Sequence, residues 1–410
     1  MKKLTLILII LLATSFAKAQ NNEIDQVKIK EDLNEILNDI SQNYVYLEEK
    51  NIDLECIREN YEKEIDNIKT EEETVLFFEY LLDEFYDNHL TLGTNRNSSF
   101  RLFAPIYATL ENDKPNITSV WQTQIDNLNQ EIIGAEIIKF NGINFAQVIK
   151  DFPTFCNNKN LQETKEWIAN KILAGRYNEP RILTLKLSTN KEIEFDLDKI
   201  KLKNNNSLLT SKTINEIGII RINNSLGNNN LVNEFDKTLN DLSNTKGLII
   251  DLRNTIFGGN SYEARGIMSR FINEPMPYQK HSFMAKSSNN PDIERSWVEY
   301  VSPRLEQYKN SVVILVGRWT GSMGEGLAIG FEGMERAEIV GSEMRRLAGE
   351  VYDFGFRHQK YGYKLSTAKL YHINGTIREE YIPTNYVRQT TTKKDEILEK
   401  GIELINKMSE

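Results

Sequence analysis

Gly317-Arg318-Trp319-Thr320-Gly321-Ser322-Met323-Gly324-Glu325-Gly326 follows a β-branched apolar run at 312–316 and leads into a helical stretch at 324–333. A serine flanked by small residues, where a buried strand turns into a helix, has a chemical use. Its hydroxyl stands at the helix N-terminus, where unpaired N–H groups and the helix dipole favour a developing oxyanion. The same residues also read as an ordinary helix start, with Ser322 as N-cap and Glu325 completing a capping box. The decapeptide alone leaves both readings open.

The stretch Gly247-Leu248-Ile249-Ile250-Asp251-Leu252-Arg253-Asn254-Thr255-Ile256-Phe257-Gly258-Gly259-Asn260-Ser261 repeats that layout: a buried strand, a polar end, a Gly-Gly loop, then a helix. Glycines let the backbone approach a substrate and aim an N–H at it; a plain turn is the other reading. No Lys-Ser/Thr follows, which excludes a Walker loop. Strands at 217–222, 247–252, 312–316 and 337–341 alternate with helices at 231–242, 262–271 and 324–333. The alternation predicts a layered α/β domain over 207–400.

Asn204-Asn205-Asn206 reads as a linker. Residues 100–203 are strand-like, with a candidate strand at 102–109, an Asn141-Gly142 turn, and a hairpin pairing 181–187 with 192–197. Residues 20–95 are helical: Ile29, Leu33, Ile36, Leu37 and Ile40 recur at helical spacing, as do Val75, Phe78, Leu81, Leu82 and Phe85.

Composition narrows the function. Among 410 residues, 59 acidic and 50 basic side chains give a net charge of −9, and no long basic run offers phosphates a surface. Nucleic acid is excluded as a partner. Two cysteines and four histidines, without HExxH spacing, speak against a resident metal. Residues 1–19 have the layout of a secretory signal peptide: Lys2 and Lys3, an apolar run at 4–12, and Ala17-Lys18-Ala19 before the cut. The mature chain is expected in the periplasm or secreted, without stable membrane insertion. Export permits a Cys56–Cys156 disulfide; two separate buried thiols are an equal reading.

Taken together, the elements resemble the C-terminal processing (tail-specific) serine peptidase family. The resemblance rests on Asp251-Leu252-Arg253-Asn254 with its Gly-Gly loop, on Ser322-Met323-Gly324-Glu325, and on Arg336-Ala337-Glu338-Ile339-Val340-Gly341. It implies a crotonase/ClpP-like core, a PDZ-like β domain at 100–203, a polypeptide substrate, no cofactor, and Ser322 as nucleophile. In the bacterial branch a Lys follows the last element as base. Here Leu347 falls about there, and Arg345 and Arg346 cannot serve, because a guanidinium does not deprotonate in proteins. The branch similar to tricorn-core and retinoid-binding-protein-like domains takes a His from a D-x-H-x-x-L motif. Asp87-Asn88-His89-Leu90-Thr91-Leu92 fits it and implies His89 as base. That branch also implies Glu379 as the acid orienting the base, directly or through a hydroxyl. Thr384 stands where Asp is usual, and the gap from Glu379 to Pro383 is shorter than the family's.

The oxyanion would be held by the N–H of Met323 and of Gly258 or Gly259, since Ile256-Phe257 alters the preceding loop. Activity is expected to rise with an apparent pKa of about 6 to 7. Glu380 is the competing register for Glu379 and His358 the fallback base; His281 and His372 read as loop or strand-surface residues. The competing function is a non-catalytic relative that binds a peptide as an added strand. A carbohydrate enzyme has no paired-carboxylate motif behind it.

Overall fold

The structure is a computed structural model that describes residues 24–287 and 290–410; the signal peptide expected over 1–19 lies outside them. At the centre is a six-stranded sheet. Strands Ile217–Ile222, Gly247–Asp251, Ser311–Val316, Glu338–Gly341 and Asn385–Tyr386 run parallel, and Leu209–Ile214 adds antiparallel at one edge. Parallel strands covered on both faces need continuous apolar runs. Leu248, Ile249 and Ile250 supply one, and all three are fully buried.

Helices Leu231–Asp241, Ser261–Met268 and Met323–Gly333 close one face around Phe235, Ile267, Leu327 and Phe331. The other face, with Ile219, Ile249, Val313 and Leu315, is covered by Ile405 of the helix Glu396–Met408. That helix runs across the boundary expected at 400.

The PDZ-like β domain is a second sheet. Ile106–Glu111, Lys114–Val120, Glu136–Phe140, Ile182–Lys186 and Glu192–Asp196 lie in that order, all antiparallel. Asn141 and Gly142 both have positive φ, 49° and 81°, as a tight Asn-Gly hairpin turn requires. The strand expected at 102–109 begins instead after Pro105, which has no N–H to give a ladder. Ile106–Glu111 is an edge strand, and the helix Gln162–Ala174 covers it. Asn170 accepts from Ala108 N–H at 3.0 Å and donates to Ala108 O at 2.8 Å, while Gln162 donates to Leu110 O at 2.9 Å. Ala108 N–H and O and Leu110 O, which face outward along this edge, are thus already bonded.

The N-terminal helices Gln26–Asn43, Leu54–Glu64 and Glu71–Asp83 start at Asp25, Asp53 and Thr70, side chains that accept the first-turn N–H groups. Their apolar faces pack with Ala348, Phe356, Tyr363 and Leu365. A third sheet makes that contact. It contains the hairpin Met276–Ser287/Asn290–Val301 and the strands Glu350–Gly355 and Gly362–Tyr371. Its smallest member, Thr91–Leu92, pairs antiparallel with Lys364 and Tyr363. This two-residue strand attaches the segment after His89 to the core. No described helix is long and apolar enough to cross a membrane.

Cys56, on the second helix, is bonded to Cys156, with Cα atoms 5.8 Å apart and a sequence separation of 100. Constraining so long a loop in the unfolded chain is worth about 2–5 kcal/mol. Cys56→Ser should therefore lower the unfolding free energy by about that amount. Urea unfolding of oxidised wild type against the mutant measures it; equal midpoints would show that the bond adds nothing.

Candidate active site

Ser322 is the N-cap of Met323–Gly333 and has φ 50° and ψ −117°. Positive φ in a residue with a Cβ costs about 1–3 kcal/mol and persists only where neighbours enforce it. They do so here. Thr320 Oγ1 accepts from Gly317 N–H at 3.1 Å and donates to Leu252 O at 3.0 Å. Gly321 N–H donates to Thr255 O at 3.2 Å. A Cβ on Gly321 would lie 2.5 Å from Ile256 O, so only glycine fits. The Glu325 carboxylate accepts the Ser322 N–H at 2.8 Å. The reciprocal half of the capping box is approached but falls short of a hydrogen bond: Glu325 N–H goes to Ser322 O at 2.9 Å, and the Ser322 hydroxyl caps nothing. The two readings of the decapeptide therefore coexist: Glu325 secures the helix start and leaves the hydroxyl available.

Met323 N–H lies in the first helical turn and has no hydrogen-bond partner among the described residues. Gly258 packs onto the same turn; a Cβ there would come within 2.5 Å of Ser322 Cβ and 2.7 Å of Met323 N. Of the two glycine candidates, however, Gly258 is corrected. Its N–H donates to Thr255 O at 2.9 Å and is spent within the loop. Gly259 N–H has no partner among the described residues, and its backbone is wedged against Leu226.

His89 is buried, with 9% of its surface exposed. Asp87 accepts its backbone N–H at 2.8 Å and is held by the Tyr44 hydroxyl at 2.9 Å. His89 Nδ1 lies 2.9 Å from Ala348 O. A carbonyl only accepts, so Nδ1 carries the hydrogen and Nε2 is left as the basic nitrogen. Ser366 Oγ donates to the same carbonyl at 2.7 Å. Of the two routes expected for Glu379, direct or through a hydroxyl, the direct one is not made: a backbone carbonyl takes the Nδ1–H.

Glu379 lies in the 3₁₀ turn Arg378–Glu380, not on a strand. Its carboxylate is buried beside the Tyr46 hydroxyl, without a hydrogen bond of ordinary geometry, and burial pushes its pKa up. Glu380 is exposed.

Residues 345–349 connect these parts. Arg346 and Leu347 N–H groups donate to Glu325 at 2.8 and 3.2 Å, and Ala348 O takes His89. Arg345 donates to Ile256 O, ahead of the Gly-Gly loop, and to Leu102 O, both at 2.8 Å. Arg378 Nη2 donates to Leu347 O at 2.8 Å and Gly349 O at 2.9 Å. The Leu347 side chain abuts Gly321, so an apolar group stands beside the nucleophile turn. Ala348, Ser366 and Arg378 are residues around the site that the sequence does not reveal. Their contacts are made by or to main-chain groups, which carry no residue signature.

Burial governs the titration. It pushes Glu325 up to about 7 against the pull of Arg378 and three N–H donors, and Arg345 down to about 10. It lowers His89 to about 3, with Arg378, Arg345 and Lys364 adding to the effect. The expected rise at 6 to 7 is therefore not a property of His89 in this setting. The other histidines are engaged elsewhere. His358 Nε2 is 2.6 Å from Glu31, which removes it as fallback base. His281 bonds Glu350 and stacks on Trp297, and His372 stacks on Tyr381; both are buried, not on the surface as expected.

Residues 216–387 match peptidase family S41, and residues 25–83 match the tricorn protease C1 domain. No curated protein matches by sequence. Among solved structures, mature CPAF superposes with a TM-score of 0.62 at 14% identity, covering 94% of this chain and 96% of that one. The photosystem II D1 C-terminal processing protease gives 0.54 at 13%, covering 93% and 97%. The tricorn protease gives 0.50 at 12%, covering 94% of this chain and 37% of the other. At these identities the likeness is one of fold.

The depressed His89 pKa makes stability depend on pH. Between about 6.5 and 3 the unfolded chain binds a proton that the folded chain excludes, so stability falls as pH falls, by up to about 1.4 kcal/mol per unit. Above that window the group contributes no slope. His89→Gln should lose this component. Urea unfolding at about pH 7.5, 6 and 5 would show the mutant gaining on wild type toward acid; a constant difference would mean that His89 is not held neutral.

Proposed function

We propose that this chain, a member of peptidase family S41 through its residues 216–387, is an exported enzyme that hydrolyses polypeptides by acyl transfer to Ser322. The observation that carries the reading is the strained Ser322 turn, whose neighbouring Met323 N–H is unpaired among the described residues. Strain kept at one residue and donors left open beside it have a use in stabilising a tetrahedral oxyanion.

In this reading His89 Nε2 takes the Ser322 proton as Oγ attacks the scissile carbonyl, then returns it to the leaving amine. Ala348 O holds the imidazole in the required tautomer. The imidazolium forms only together with the oxyanion, whose charge compensates it in a site where burial opposes an isolated cation. Met323 and Gly259 N–H groups receive the oxyanion. Glu379 contributes through its charge and its contact with Tyr46, and not by bonding the ring. Export is supported by the signal-peptide layout at 1–19 and by the Cys56–Cys156 bond.

A fluorophosphonate should label wild type at Ser322, and Ser322→Ala should abolish both labelling and peptide hydrolysis with an unchanged melting temperature to within a few degrees. Labelling elsewhere, or turnover by the mutant, would overturn the nucleophile. Glu379→Gln should slow turnover about tenfold, well short of the ~10⁴-fold known where an acid bonds the imidazole directly. Glu380→Gln should act like wild type, since that side chain is solvated. Initial rates on one peptide at a single pH compare them.

A further inference from the structure

Arg378 is almost fully buried, with 2% of its surface exposed, yet no carboxylate forms an ion pair with it among the described residues. Burying a guanidinium without a bonded counter-ion is costly, so its place calls for an explanation. Its Nη2 donates to Leu347 O at 2.8 Å and to Gly349 O at 2.9 Å. Those carbonyls flank Ala348, whose own carbonyl takes His89 Nδ1–H. The residue before Ala348 also donates its N–H to Glu325, which holds the Ser322 N–H. Gly349 has φ 68°, and a Cβ there would press on Ala368 O, so only glycine fits at that position.

We propose that Arg378 is a positioning residue for His89: by fixing both carbonyls around Ala348, it aims the one carbonyl that sets the imidazole's tautomer and direction. The proposal rests on the reading of His89 as the base. Without the clamp, Ala348 O keeps only its contacts with Ser366 and His89, and the ring's reference to the Ser322 turn is loosened. A misplacement of about 1 Å can cost about 10²-fold in rate without touching substrate binding. The charge has a second consequence. The groups facing His89 are Arg378 on its turn, Arg345 on the connecting segment, Lys364 on the third sheet, and Asp87 on its own segment. Removing one of three cations should make the ring easier to protonate.

The test compares Arg378→Gln, Arg378→Lys and His89→Ala in the full mature chain, by peptide hydrolysis and by fluorophosphonate labelling across pH. Arg378→Gln should lower kcat about 10²-fold with KM within twofold, and move the acid limb of labelling upward. Arg378→Lys, which keeps charge and donors, should recover most of the rate and the wild-type limb. Arg378→Gln with wild-type kcat, beside an inactive His89→Ala, would overturn the proposal and leave the base reading intact. Equal losses in both Arg378 variants with an unshifted limb, tracking a lowered melting temperature, would reduce Arg378 to a structural role and overturn it as well. Full activity in His89→Ala would remove the base reading itself.

Discussion

The Glu325 carboxylate is the interaction on which the rest of the site depends. It is fully buried in the first turn of a buried helix, and a carboxylate there must find donors or lose its charge. It finds three backbone N–H groups: one from the Ser322 turn and two from residues 346 and 347. A single side chain thus joins two backbone segments at fixed spacing. The second segment, 345–349, then becomes the frame for everything else. Arg345 reaches from it to Ile256 O ahead of the Gly-Gly loop, and Ala348 reaches from it to His89.

That arrangement explains how residues far apart in the chain can act together. His89 belongs to the end of a helical region whose core is shared with Ala348, Phe356, Tyr363 and Leu365. Two connections bring it to the α/β domain: the short Thr91–Leu92 pairing and the Nδ1 contact with Ala348. One ends on Tyr363 and Lys364 of the third sheet, the other on the segment that leads into that sheet. The helical region and the nucleophile helix therefore share one scaffold. The PDZ-like domain is attached to the same loops. Trp121 donates to Arg253 O and stacks on Trp319, just ahead of Ser322, with ring centroids 5.5 Å apart.

Much of this is legible in the sequence, for identifiable reasons. The parallel core is readable because strands buried on both faces must be continuously apolar, as Leu248 to Ile250 are. The Ser322 turn is readable because a sterically forced path needs glycine at 321 and 258. The third sheet is not. The second strand of its hairpin, Asn290–Val301, is largely solvent-facing, and its charged residues, such as Glu294, Arg295 and Glu299, mask the period-two pattern that identifies a half-buried strand. The final helix, Glu396–Met408, crosses the boundary expected at 400 and carries Gly401 in its interior. In space it is the residue that lets the helix lie close against Leu315 and Ile249.

The site residues divide along the same line. Ser322, His89 and the Gly-Gly loop announce themselves because their chemistry depends on a side chain or on glycine. The acceptor of His89 Nδ1–H is a main-chain carbonyl, and alanine at 348 says nothing of it. With that acceptor neutral, the anion expected to accompany the base stands one step away, as Glu379 beside Tyr46, and a buried cation, Arg378, stands nearer the carbonyls. A neutral acceptor and a nearby cation both disfavour a resting imidazolium. In the proposed reaction a ring held neutral at rest would be protonated favourably only while the oxyanion's charge exists beside it. Differential stabilisation of that one state, and not of the resting protein, is what would lower the barrier.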